Sequence, residues 1–156
     1  MPRRSRATST ILWAGLIAGT LDITAALIVY ARVGTEGIRL LQGIASGLLG
    51  KAAFVGGLST ATLGLLCHYF IATSWAAIYY GASRRIASLV EHPVVAGVVY
   101  GMIVYFIMNH VVIPLSAIGP QPFSFSAAIV AAAILIACIG IPIALTVSWR
   151  ERNAVT

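Results

Sequence analysis

Hydrophobic residues fall into four long runs separated by short, more polar stretches. The runs are Ile11–Tyr30, Ser59–Tyr80, Pro93–Leu115 and Ser126–Trp149. A helix needs about 20 apolar residues to cross a bilayer, because all its backbone polar groups must be satisfied within the segment. We therefore predict an all-α membrane protein with four transmembrane helices in a bundle, residues 1–156 forming a single integral membrane domain.

The stretch between the first two runs, residues 35–54, has helical periodicity. Its apolar residues recur on one side and its polar residues fall largely on the other, a pattern typical of an amphipathic helix in the membrane interface. A re-entrant or covering segment is the alternative interpretation. The apolar positions are Ile38, Leu41, Ile44, Leu48 and Ala52, and the polar ones are Arg39, Gln42, Ser46 and Lys51.

Composition supports the membrane assignment. Of the 156 residues, 60% are hydrophobic and 9% are charged, and the mean hydropathy is +0.97. Soluble domains carry about a quarter charged residues, so this chain is not one of them. The two cysteines, Cys67 and Cys138, both lie within apolar runs, where small apolar packing is the simplest role.

The net charge of +6 indicates topology. The loop "SAIGPQPFSFS" has no charge, whereas basic residues flank the other ends of the runs, so the positive-inside rule predicts that both termini and the loop 81–92 are cytoplasmic. This distribution gives no reason to expect nucleic-acid binding. The flanking residues are Arg3, Arg4, Arg6, Arg84, Arg85, Arg150 and Arg152, and the exceptions on the outer side are Arg32, Arg39 and Lys51.

Small residues mark the expected packing faces, because helices in lipid associate where their backbones can approach closely. On the first three runs the small-residue face also carries a polar or ionisable residue: Asp22, His68 and Asn109 respectively. On the fourth run the expected face is Ala133, Ala137, Gly140 and Ala144. The packing glycines of the first three runs are Gly15, Gly19, Gly64, Gly97 and Gly101.

Asp22 and His68 fall at similar depths. At a rise of about 1.5 Å per residue, Asp22 lies ~16 Å from one end of its run and His68 ~13 Å from the opposite surface, in a core about 30 Å thick. We therefore predict a polar site formed by Asp22 and His68, with Asn109 and Tyr105 nearer the outer surface. His110 shares its face with bulky residues, and we expect it to point outward.

Several roles are open to this cluster. An ionisable group at mid-membrane costs about 2.5–3.5 kcal/mol and is a functional candidate by default. A proton- or solute-linked site is the first hypothesis, since a coupled carboxyl–imidazole pair can exchange protons. A clasp that only holds helices together is the structural alternative. Ligation of haem or iron by His68 and His110, with Asp22 as an oxygen ligand, is disfavoured by the outward face of His110.

No enzyme signature is present: the chain has no glycine-rich phosphate loop, zinc spacing or nucleophile elbow. We expect a non-enzymatic protein with no catalytic residues, metal or cofactor. Its expected partner is the lipid bilayer, together with a second copy of the chain or another membrane protein.

Four stretches carry a resemblance to a known group: "RLLQGIASGLLGKAAF", "LGLLCHYFIATSWAAIYY", "HPVVAGVVYGMIVYFIMNHVVIPL" and "IGIPIAL". With these stretches the chain resembles a widespread group of small bacterial inner-membrane proteins of unknown function, and its layout is similar to that of the YagU-like proteins. The resemblance implies four spans of a bacterial inner membrane and supplies no reaction, substrate or catalytic residue.

Overall fold

The computed structural model describes residues 3–153, with side chains from residue 5 onward, and this part of the chain is helical throughout apart from its connections. The Arg3 and Arg4 side chains and the last three residues, which bear on the predicted topology, lie outside the described set. The helices are α1 (Arg3–Arg32), α2 (Gly37–Leu49), α3 (Gly57–Ser83), α4 (Ser88–Glu91), α5 (Pro93–Leu115) and α6 (Phe125–Arg152).

Five helical segments in the described chain are long and apolar enough to cross a membrane. Four of them, α1, α3, α5 and α6, overlap the four hydrophobic runs. The fifth is α2 together with the 3₁₀ turn Gly50–Val55 that continues it. The protein is therefore a multi-pass, all-helical membrane protein.

Helices α1 and α3 pack antiparallel, as do α5 and α6, and α1 also packs against α6. Gly15 of α1 faces Thr73 of α3, whereas Gly19 faces Tyr69, so these two helices run in opposite directions. On the other side of the bundle, Gly97 of α5 contacts Ile141 of α6. A Cβ atom on Gly97 would lie 2.7 Å from the Ile141 Cα, which explains why a small residue stands there.

Helix α2 packs on the end of the bundle formed by the C-terminus of α1, the N-terminus of α3 and the segment after α5. We call this the α2 end. Near its start, Gly37 lies beside Leu27 of α1, and in its middle the Leu41 carbonyl packs on Gly64 of α3. At its C-terminus, the Ala117 amide beyond α5 donates to the Gly47 carbonyl at 3.0 Å. Both ends of α2 thus rest against the same end of the bundle.

The faces of α2 differ from the expected division. Gln42 is buried, and its Nε2 donates to the Gly57 carbonyl at the start of α3, at 3.0 Å. Ile38 and Leu48, expected on the apolar face, are exposed by 46% and 67%. The expected polar side is thus divided: Gln42 and Ser46 pack on the protein, whereas Arg39 and Lys51 are exposed.

Hydrogen bonds tie the helices together at the opposite end. Arg150 of α6 donates to Ser9 and Thr10 of α1, at 2.7 and 3.0 Å. Ser148 donates to the Val90 carbonyl at 2.6 Å, and Arg152 donates to the same carbonyl at 2.8 Å. The connection through α4 is thereby held against the end of α6.

Candidate functional site

Two π-helical turns shape the interior of the bundle. They are Met108–Val112 in α5 and Leu135–Gly140 in α6, and each is followed two residues later by a proline, Pro114 or Pro142. Proline cannot donate to the carbonyl four residues before it and its ring crowds that carbonyl, so a wider turn relieves the clash. Such turns often occur at functional sites.

The π turn in α6 rotates its packing face. Gly140 and Ala144 are buried, but Ala133 and Ala137, predicted on the same row, are exposed. The prediction for these two alanines was wrong because it assumed 3.6 residues per turn through a segment that contains an extra residue.

A cavity of about 320 Å³ lies between the two π turns and helices α1 and α3. Asp22, His68 and Asn109 all line it, so the bundle brings together three of the four residues predicted for the polar site. The remaining walls are mainly aliphatic, with the aromatic rings of Tyr30 and Trp75.

Tyr105, the fourth predicted residue, does not line this cavity. Its side chain is buried elsewhere, with its ring centroid 6.4 Å from that of His110. Its contribution is the backbone carbonyl, which accepts a hydrogen bond from Asn109 Nδ2 at 3.0 Å. Tyr105 precedes the π turn, whereas Met108 and Asn109 lie in it. The wider turn therefore places Met108 and Asn109 on the cavity wall and Tyr105 on a different face of α5.

His68 is held by the backbone of α1. Its Nε2 lies 2.8 Å from the Gly19 carbonyl oxygen, and because that oxygen can only accept, Nε2 must carry the proton. In the neutral ring, Nδ1 is then the free acceptor. The close approach depends on Gly19, where a Cβ would meet the Tyr69 ring at 3.0 Å.

Asp22 lies within electrostatic range of His68 without forming an ion pair of 4 Å or less. Within the described chain, the Asp22 carboxylate has no hydrogen bond to a protein group. The side chain is partly exposed to the cavity rather than fully buried. The carboxylate is thus available to a proton, water or ligand that enters there.

The inner cavity adjoins a larger cavity of about 930 Å³ at the α2 end. The two cavities share lining residues from α1, α2, α3 and α5. Glu36 and Arg39, at the start of the α2 region, line the outer cavity. The shared residues are Tyr30, Leu40, Ile44, Ile71, Met108 and Ile113.

His110 points away from the site. It is exposed, and its Nδ1 donates to the Phe106 carbonyl of its own helix at 3.2 Å. Across residues 3–153, no three His, Cys, Asp or Glu side chains cluster in a way that could hold a metal ion. His68 and His110 therefore do not face a common site.

The five predicted packing glycines all stand at close contacts between elements. Beyond those described above, a Cβ on Gly15 would lie 2.7 Å from Thr73 Cα, and one on Gly101 would lie 2.5 Å from Ile136 Cα. Gly64 is in contact with the Leu41 carbonyl of α2. These contacts fix the distances across which the cavity residues face one another.

Comparison with protein-family models, curated proteins and solved structures finds no match to this chain. The resemblance to small four-span bacterial membrane proteins stays a prediction. The function must therefore be argued from the cavity itself.

Proposed function

We propose that the chain is a non-enzymatic membrane protein whose Asp22 cavity exchanges protons, or binds a small solute, from the α2 end. The observation that carries this proposal is the Asp22 carboxylate, which has no protein hydrogen bond within residues 3–153 and lines a cavity shared with His68 and Asn109. A carboxyl group inside a bundle is costly unless it is protonated or paired, so its accessibility favours exchange with something mobile.

In this proposal, α1, α3, α5 and α6 cross a bacterial cytoplasmic membrane and α2 lies in the outer interface. Both ends of α2 rest on the same end of the bundle, and its exposed side chains there include Ile38 and Leu48, which suit an interfacial position. The termini are then cytoplasmic. The expected partners are lipid and a second copy or another membrane protein.

A structural clasp is the second candidate function. The hydrogen bond from His68 to the Gly19 carbonyl joins α3 to α1 directly, as a clasp requires. Interhelical hydrogen bonds of this kind contribute about 0.6 kcal/mol on average. Asp22, however, takes no part in that bond, so the clasp leaves its carboxylate without a role.

Infrared difference titration in lipid between pH 5 and 9 tests the proposal. A carboxyl band that titrates in this window and disappears in Asp22→Asn is the expected result, because the apolar surroundings disfavour the ionised carboxylate while the cavity admits protons. The variant should fold normally, since no protein hydrogen bond to Asp22 is lost within the described chain. A band that does not change with pH would leave the clasp as the better account.

A further inference from the structure

The inner cavity carries a charge without a fixed counter-charge. Of the described residues that line it, Asp22 is the carboxylate and none is a Lys or Arg. The cationic side chain of the adjoining outer cavity, Arg39, is placed over the Phe54 ring, with its Cζ 5.7 Å from the ring centroid. Neutralisation of Asp22 therefore depends on a proton, taken up by the carboxylate itself or by His68, or on an occupant that brings a positive charge.

The two polar side chains beside Asp22, those of His68 and Asn109, each donate one hydrogen bond to a backbone carbonyl. His68 uses Nε2–H on Gly19, and Asn109 uses Nδ2 on Tyr105. Their remaining acceptor atoms, His68 Nδ1 and Asn109 Oδ1, accept no hydrogen bond from a protein donor within the described chain. An occupant that donates hydrogen bonds matches this set better than one that accepts them.

The lining side chains and the volume of the cavity limit the size and polarity of the rest of the ligand. Aliphatic side chains from five helices and the Trp75 ring surround the polar atoms, so a short apolar body is accommodated, and an aromatic face attracts a cation. A volume of about 320 Å³ lies at the lower end of the range for small-molecule sites, about 300–1,000 Å³. A bare metal ion fits poorly because one carboxylate supplies too few oxygen ligands.

From the unpartnered Asp22 carboxylate, the free acceptors and the apolar wall with Trp75, we propose that the cavity binds a small aliphatic ammonium ion. This inference rests on the proposed function and names the class of its solute. The ammonium group donates to Asp22, His68 Nδ1 and Asn109 Oδ1, and the alkyl chain packs against the aliphatic wall.

Cation and proton compete for the same carboxylate, so binding weakens as the pH falls. The titratable groups that face Asp22 are His68 from α3 and the Cys138 thiol from α6, while α5 contributes the neutral Asn109. Tyr30 of α1 lines the same cavity. Protonation of His68 adds a positive charge and removes an acceptor, which acts in the same direction as protonation of Asp22.

Trp75 provides a local reporter for the test. The other tryptophans, Trp13 and Trp149, line a separate surface pocket and are exposed by 54% and 64%. Replacing both by phenylalanine leaves Trp75 as the single tryptophan of the chain. The purified variant in lipid vesicles is titrated at pH 8 and pH 5.5 with n-butylammonium, n-butanol and butyrate, which share a chain length and differ in charge.

We expect n-butylammonium alone to change Trp75 fluorescence saturably, with weaker binding at pH 5.5. Asp22→Asn in the same background should weaken binding about tenfold or more, because a charge-assisted hydrogen bond is lost. Asp22→Glu, which keeps the charge, should retain part of the affinity. Glu36→Gln is the matched control, since it removes the same charge from the outer cavity.

Equal responses to n-butylammonium and n-butanol, or unchanged binding in Asp22→Asn, would overturn the ammonium inference. If the Asp22 carboxyl band titrates in the infrared but n-butylammonium does not bind, the proton-linked site stands and the ammonium class is wrong. If the band does not titrate and n-butylammonium does not bind, both proposals fail.

Discussion

At the scale of single residues, the two ionisable groups of the cavity do different work. His68 donates a hydrogen bond from Nε2 to the Gly19 carbonyl and so holds α3 against α1. Asp22, about one turn further along α1, has no such bond within the described residues and faces the cavity. The position of the imidazole therefore depends on packing, whereas the state of the carboxyl depends on what enters.

His68→Phe should destabilise the protein by about 1 kcal/mol, because the Nε2–H donor to Gly19 is lost. His68→Gln is the matched variant, since its amide can still donate to that carbonyl. Unfolding in mixed micelles by a denaturing detergent measures the difference. Equal stability of the two variants would show that the hydrogen bond contributes nothing measurable.

At the scale of helices, the glycines of α5 and α6 set the width of the bundle beside the cavity. Gly140 is in contact with the Gly97 carbonyl and with Gly101, so the two backbones touch. Such contact favours association in lipid, where burial of apolar surface gives no advantage. A side chain larger than hydrogen must push the helices apart.

Gly101→Ala should lower stability by about 1–3 kcal/mol, because its Cβ would lie 2.5 Å from Ile136 Cα. Gly81→Ala is the control: Gly81 is also helical, but a Cβ there meets nothing within 4 Å. That change should be neutral or slightly stabilising, since alanine favours helix. Thermal unfolding in detergent compares them, and equal losses would contradict the packing account.

The sequence predicts part of this arrangement well. An all-helical chain follows from runs of apolar residues, because a spanning segment must satisfy its own backbone. Asp22, His68 and Asn109 could be placed together because depth and small-residue faces are both readable from helical spacing. Pro114 and Pro142 mark the distorted stretches, but the position of the extra residue in each π turn leaves no periodic trace. The turns place Asn109 on a different face from Tyr105 and leave Ala133 and Ala137 exposed.

At the scale of the whole molecule, the two ends of the bundle differ. At the α2 end, the outer cavity of about 930 Å³ adjoins the Asp22 cavity. At the other end, Arg150 and Arg152 of α6 are hydrogen-bonded to α1 and to the α4 segment. Because the cavity that contains Asp22 adjoins the outer cavity, our proposal gives Asp22 access from the α2 end.

The central claim is that the Asp22 cavity opens at the α2 end of a bundle that crosses the membrane four times. Single cysteines can test it after Cys67 and Cys138 are replaced by alanine. The reference positions are Val33, before α2, Val55, after it, and Ala87, at the opposite end, all of which are exposed. The test position is Asp22→Cys.

The decisive measurement is modification of these cysteines by a membrane-impermeant thiol reagent, added to one side of oriented vesicles at a time. The account predicts that positions 33, 55 and 22 react from one side and that position 87 reacts from the other. Reaction of positions 33 and 55 from opposite sides would mean that α2 crosses the membrane. Reaction of position 22 from the side of position 87 would contradict the proposed opening.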